Sequence, residues 1–201
     1  MRRIVAVISL TLDGVMQGRG RPDEDRRGGF EDGGWATPYR DPVMMQAMGK
    51  GMADAGPLLF GRRTYEDFFA VWPGRKDNPF TAVLDNAHKY VASRTLREPL
   101  PWKKSTLLSG EAADAILEMK TQPGKDLVVL GSGDLMRTLM RRGLVDVYML
   151  LIHPLVLGRG RRLFSDDGQR RTLRLVESVT TTTGVVMATY HPVNTDATEA
   201  R

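Results

Sequence analysis

Leu127-Val128-Val129-Leu130 runs directly into Gly131-Ser132-Gly133, and a helical pattern follows through Arg142. This junction limits the possible folds more than any other stretch of the chain. Four apolar residues in a row read as a strand buried on both faces. The glycine pair then leaves room only for a tight turn before the helix. Several free backbone N–H groups and the positive end of a helix dipole converge there, which suits an anion, above all a phosphate. Taken alone, the motif fits an ordinary strand-to-helix turn equally well.

The same grammar recurs upstream. Arg3 to Leu10 reads as a doubly buried first strand ending at Asp13-Gly14, and Pro57 to Phe60 as a second, closed by Gly61. Lys89 to Ser93 and Thr106 to Leu108 supply two more. Helical patterns follow Asp41-Pro42 (N-cap and first-turn proline) and cover Thr64 to Val71, Pro79 to Asn86 and Glu111 to Lys120. Strand and helix alternating at this spacing imply a parallel sheet covered on both faces. Beyond Gly143 the grammar changes: Val145 to Ile152, Leu173 to Thr180 and Gly184 to His191 read as strands added antiparallel. The chain is expected to form one α/β domain over 1–192, with a disordered tail at 193–201. Gly18 to Gly34 is glycine-rich, of mixed charge and without periodicity, so it is expected to be a long surface loop with too little apolar surface to pack. It serves as either an active-site flap or a connector.

Composition enters by exclusion. The 29 basic and 24 acidic residues of the 201 leave a net charge of +5, but the charges are interspersed, which argues against a nucleic-acid surface. The apolar runs are short of the roughly 20 residues a membrane span needs. Arg2-Arg3 leads only into the first strand, which is no secretory signal. Without cysteine there is no thiol nucleophile and no thiolate metal site, in keeping with a cytoplasmic protein. His88, His153 and His191 are far apart and read as structural; no metal is expected.

Three strand ends share a design: Gly61-Arg62-Arg63-Thr64, Ser93-Arg94-Thr95 and Gly131-Ser132-Gly133. In an open parallel sheet the carboxyl ends of neighbouring strands share one crevice. Each turn offers what a phosphate needs, namely glycine for close approach, hydroxyl donors or a guanidinium. Together they suit a dinucleotide with an extra phosphate on ribose, or else they are ordinary turns with surface arginines.

Leu59-Phe60-Gly61-Arg62-Arg63-Thr64-Tyr65-Glu66, Val91 to Leu96 and the glycine pair resemble segments of the dihydrofolate reductase superfamily. Ser9 to Gly14 and His153 to Phe164 resemble its RibD C-terminal branch, the reductase domain of riboflavin biosynthesis. The resemblance runs from about residue 2 to 192. It implies a dihydrofolate-reductase-like three-layer fold, with a mixed, mostly parallel sheet and antiparallel C-terminal strands. It also implies an NADPH-dependent reductase of a small heterocyclic or carbonyl/imine substrate, most specifically 5-amino-6-(5-phosphoribosylamino)uracil. By position, Arg62 and Thr64 would contact the cofactor phosphates and Ser93 and Arg94 its 2′-phosphate, with Gly61 and Thr95 also cofactor-binding. Gly131, Ser132, Gly133, Asp134, Leu135 and Met136 would hold the pyrophosphate. Leu12, Val15 and Met16 would lie near the nicotinamide, and Trp35 and Thr37 would border cofactor and substrate. Asp13, at the end of the first strand, is the candidate catalytic acid. Two positions depart from the pattern: Met44, Met45 and Gln46 stand where dihydrofolate reductases carry an acid, and Leu130 where riboflavin reductases do. The alternatives are a dihydrofolate or pteridine reductase and a non-catalytic nucleotide-binding module. A homodimer is expected from the need to cover an antiparallel edge.

Overall fold

The computed structural model describes residues 1–53, 56–76, 78–108, 110–164 and 169–193. Its eight strands are β1 (Ile4–Thr11), β2 (Leu58–Gly61), β3 (Lys89–Ala92), β4 (Ser105–Leu108), β5 (Leu127–Leu130), β6 (Val147–His153), β7 (Leu173–Thr180) and β8 (Val186–Pro192). They form one sheet in the order β4-β3-β2-β5-β1-β6-β8-β7. The first six run parallel; β8 pairs antiparallel with β6, and β7 with β8. The five helices are α1 (Pro42–Ala53), α2 (Arg62–Val71), α3 (Pro79–Asn86), α4 (Ala112–Thr121) and α5 (Gly133–Arg141). The expected fold class is the one observed. Among the described residues no helix is long and apolar enough to cross a membrane.

β1 lies between β5 and β6, with Val5 opposite both Val128 and Val147. That position explains its near-continuous apolar sequence, since both faces are largely covered and only Val5 and Val7 are partly exposed. Ile4, Ala6 and Ile8 are fully buried with Ile116 of α4 and Met136 and Leu139 of α5. The opposite face packs on α2 and α3, where Phe60 and Val91 meet Phe68 and Phe80, and on α1, where Leu151 meets Met44 and Met48. Asp41 caps α1 as expected, its Oδ1 accepting from the amides of Val43 (2.7 Å) and Met44 (3.2 Å). Its Oδ2 accepts from the Thr182 amide at 2.9 Å, which fixes α1 to the β7–β8 turn.

One expectation about the first loop is corrected. Between β1 and α1 the chain has only two 3-10 turns, Arg27–Gly29 and Thr37–Tyr39, yet it packs a small core of its own. Val15, Phe30, Trp35 and Ala36 are buried there against Leu155 and Leu157. Apolar residues so widely spaced have no period to reveal them. Gln17 ties the loop together, donating to the Asp25 and Arg27 carbonyls and accepting from the Arg161 amide. Of the expected tail, all but Val193 lies outside the described residues.

Candidate functional site

β3, β2 and β5 are neighbours and parallel, so the turns that follow them emerge on one rim of the sheet. Two of those turns are bonded together. The Gly61 amide donates to Ser132 Oγ at 3.0 Å, and Ser132 Oγ donates to the Leu130 carbonyl at 3.1 Å. Both Gly131 (φ +58°) and Ser132 (φ +57°) are left-handed, and the side chain of Thr64 packs where a Gly131 Cβ would point. Gly131 must therefore bear that conformation without strain, which glycine does. The Ser93 turn opens onto the same space. All three turns line a single cleft of about 1350 Å³.

Much of the expected set faces this cleft: Met16, Thr37, Gly61, Arg62, Thr64, Ser93, Arg94, Thr95, Gly131, Ser132, Gly133, Asp134 and Leu135. Ser132 and Ser93, however, are held by the protein; Ser93 Oγ accepts from the amides of Thr95 and Leu96. The free donors at the glycine turn are then the amides of Gly133 to Leu135, since the first bond inside α5 runs from the Met136 amide to the Ser132 carbonyl. Met16, just before the first loop, touches this turn: a Cβ on Gly133 would stand 3.2 Å from its Sδ.

Five expected residues are elsewhere. Leu12 is exposed and off the cleft, whereas Val15, Trp35 and Met136 are buried behind it. For Val15 and Trp35 the cause is the loop's private core; for Met136 it is the inward face of α5. Asp13, the expected acid, is a loop clamp. Its carboxylate accepts from Thr11 Oγ1 at 2.6 Å, from the amides of Leu157 (3.2 Å) and Gly158 (2.9 Å), and pairs with Arg162. The Thr11 hydroxyl, helped by the two amides against some desolvation, holds its pKa down at about 2. A carboxyl so firmly ionised has no proton to give near neutral pH.

The cleft carries a carboxyl that sequence reasoning passed over. Glu24 Oε2 accepts from the amides of Gly20 (2.6 Å) and Arg21 (3.2 Å), while burial pushes the group's pKa up. Arg21 also pairs with Asp67 of α2, joining the flap to the far wall. Around Asp134, at the start of α5, four guanidiniums gather: Arg63 (3.1 Å), Arg161 (2.9 Å), Arg27 (3.6 Å) and Arg137. These arginines come from three separate segments as well as α5 itself, so no spacing in the chain announces the cluster. Arg62 pairs with Glu66 and Arg94 with Glu111, both exposed pairs of the kind worth about 1 kcal/mol or less.

His153 is also part of the cleft's lining. It ends β6 and is 1% exposed. Of the other two histidines, His88 bonds Thr106 and His191 lies on β8; among the described residues no three His, Asp or Glu side chains form a metal set.

A family model described as the RibD C-terminal domain matches residues 2–187. The uncharacterized protein YyaP of Bacillus subtilis (strain 168) is 31% identical over 196 residues, covering 94% of this chain and 95% of its own. Two solved structures share the fold. A pyrimidine reductase-like protein of Corynebacterium diphtheriae superposes with a TM-score of 0.66 at 13% identity, covering 96% of this chain and 92% of that one. Dihydrofolate reductase of Enterococcus faecalis, complexed with NADP(H), gives 0.60 at 14% identity, covering 96% and 97%.

Proposed function

The chain belongs to the RibD C-terminal domain family, and from that premise we propose that it is an NADPH-dependent reductase of a small heterocyclic or carbonyl/imine substrate, working in the cytoplasm. The observation that carries this reading is the convergence of the three turns, at 61–64, 93–95 and 131–133, on one cleft. NADPH, when bound, supplies the hydride; holding, orienting and protonation fall to the chain.

The amides of Gly133 to Leu135, with the α5 dipole, are the seat for the pyrophosphate. Arg62 and Thr64 flank it. Ser93, Arg94 and Thr95 take the 2′-phosphate, with Arg94 leaving Glu111 for it. Met16 and Thr37 border the nicotinamide end. Glu24, whose pKa burial raises, is the candidate proton donor through Oε1, because Oε2 is occupied by the loop amides. The apolar wall of Met44, Met48, Phe68 and Trp72 receives a ring, and Arg40 and Arg75 line the same cleft for an anionic substituent. This combination suits 5-amino-6-(5-phosphoribosylamino)uracil, although Leu130 in place of an acid removes one contact the riboflavin branch uses.

A fluorescence titration tests the assignment. NADPH is expected to bind at least tenfold more tightly than NADH, and Arg94→Ala to abolish the difference. Equal affinity of the wild type for the two cofactors refutes it. A nucleotide-binding module without catalysis would bind NADPH and turn over none of a panel of pteridine, pyrimidine and quinone substrates.

A further inference from the structure

The imidazole of His153 has its tautomer dictated by its neighbours. Nδ1 lies 3.0 Å from the Leu151 carbonyl and 3.3 Å from the Leu10 carbonyl. Carbonyl oxygens only accept, so Nδ1 must carry the hydrogen. Burial keeps the ring's pKa below the usual histidine range, and the adjacent Arg19 charge pushes the same way. In the neutral ring Nε2 is then an acceptor, and among the described residues nothing donates to it. Trp35 and Tyr39 clamp the ring edge-on, with centroids 5.1 and 5.5 Å away. The ring therefore cannot turn to find another partner.

His153 borders the cleft from β6, two strands beyond β5; it stands opposite Thr11 of β1 and two residues along from Leu151, the partner of Ser9, which lines the same cleft. Arg19 reaches in from the flap and donates to Ser9 Oγ at 3.3 Å. The floor thus presents one fixed neutral acceptor next to one cationic donor, below the apolar wall of α1 and α2. An acceptor that opens only onto the cleft is left unmatched once a bound ligand shuts out water without offering a donor, so such a site selects ligands that can donate to it.

We propose that His153 Nε2 is a specificity-determining acceptor: it takes the ring N–H of a planar heterocycle, while Arg19 takes the oxygen on the adjacent carbon. The inference rests on the reading of this cleft as a heterocycle-reducing site, but hydride transfer plays no part in it. Its test therefore uses binding alone.

The full-length protein carrying 15N-labelled histidine is titrated with 2-quinolone, whose ring N–H adjoins a carbonyl, and with N-methyl-2-quinolone, which has lost that hydrogen. The expected result is an upfield shift of the acceptor Nε2 resonance of His153 with 2-quinolone, no such shift with the N-methyl compound, and at least tenfold weaker binding of the latter. His153→Phe, which also assigns the signal, should bind both probes equally. If that variant does not fold, the wild-type titration decides by itself. Equal affinity of the wild type for the two probes overturns the proposal, as does a His153 signal unmoved by saturating 2-quinolone, or no binding of either probe. None of those results bears on whether NADPH is bound and used.

Discussion

Asp134 was read in the sequence as part of a phosphate seat, yet its carboxylate is itself an anion standing on that seat. Arg27, Arg63, Arg137 and Arg161 all turn toward it, so an arriving pyrophosphate meets guanidiniums that already have a partner. Asp134→Asn is accordingly expected to tighten NADPH binding roughly fivefold, the scale of one surface charge, and to steepen its salt dependence. Titrations at two ionic strengths check both. Asp13 makes the opposite point about acids. Its pKa, about 2 when folded against the ordinary 3.8, means that its contacts contribute stability above about pH 4. That contribution is lost as pH falls through about 2. Thermal unfolding of wild type and Asp13→Asn should show the wild type more stable at pH 7 and the two curves converging between pH 4 and 2. Both residues were visible in the sequence as types and positions. Their roles were not, because each also depends on partners from distant segments, such as Arg27 for Asp134 and Gly158 for Asp13.

At the level of elements, the strands and helices lie close to where the sequence put them, because each carries its own signal. Apolar runs mark β1, β2 and β5, and caps at Asp41 and Asn78 start α1 and α3. What joins the elements was hidden. In the sequence Lys89 is simply the first residue of β3; in the fold it is fully buried, and its Nζ donates to the carbonyls of Leu84 (2.8 Å) and Ala87 (2.7 Å), closing the end of α3. The ammonium also lies 4.6 Å from the Trp102 ring centre, and burial lowers its pKa to about 8. Lys89→Met leaves those carbonyls unpaired and is expected to cost about 1–3 kcal/mol, measured by urea unfolding. Ser132 joins β2 to β5 in the same way, one hydroxyl serving two turns.

At the level of the molecule, one side of the sheet is left open. Among the described residues β7 pairs only with β8, and Leu175, Val176 and Val179 along it are about half exposed, at 51%, 49% and 41%. An apolar edge of this kind is a liability unless something covers it. A second copy of the chain is the expected cover, so light scattering should give twice the 22.4 kDa of one chain. Val176→Lys should yield single chains that still bind NADPH; a wild-type mass of one chain would end that expectation. By itself, the sequence determined which segments become strands and helices, that most strands run parallel, and which three strand-end turns face one cleft. These follow from periodicity, glycine conformation and capping, all of which act within a few residues. Only the tertiary structure decided which charges neutralise one another, that Asp13 is a clamp, that the first loop has a core, and that His153 presents a bare acceptor to the cleft. Those properties depend on burial and on partners brought together by chain folding, for which no local pattern exists.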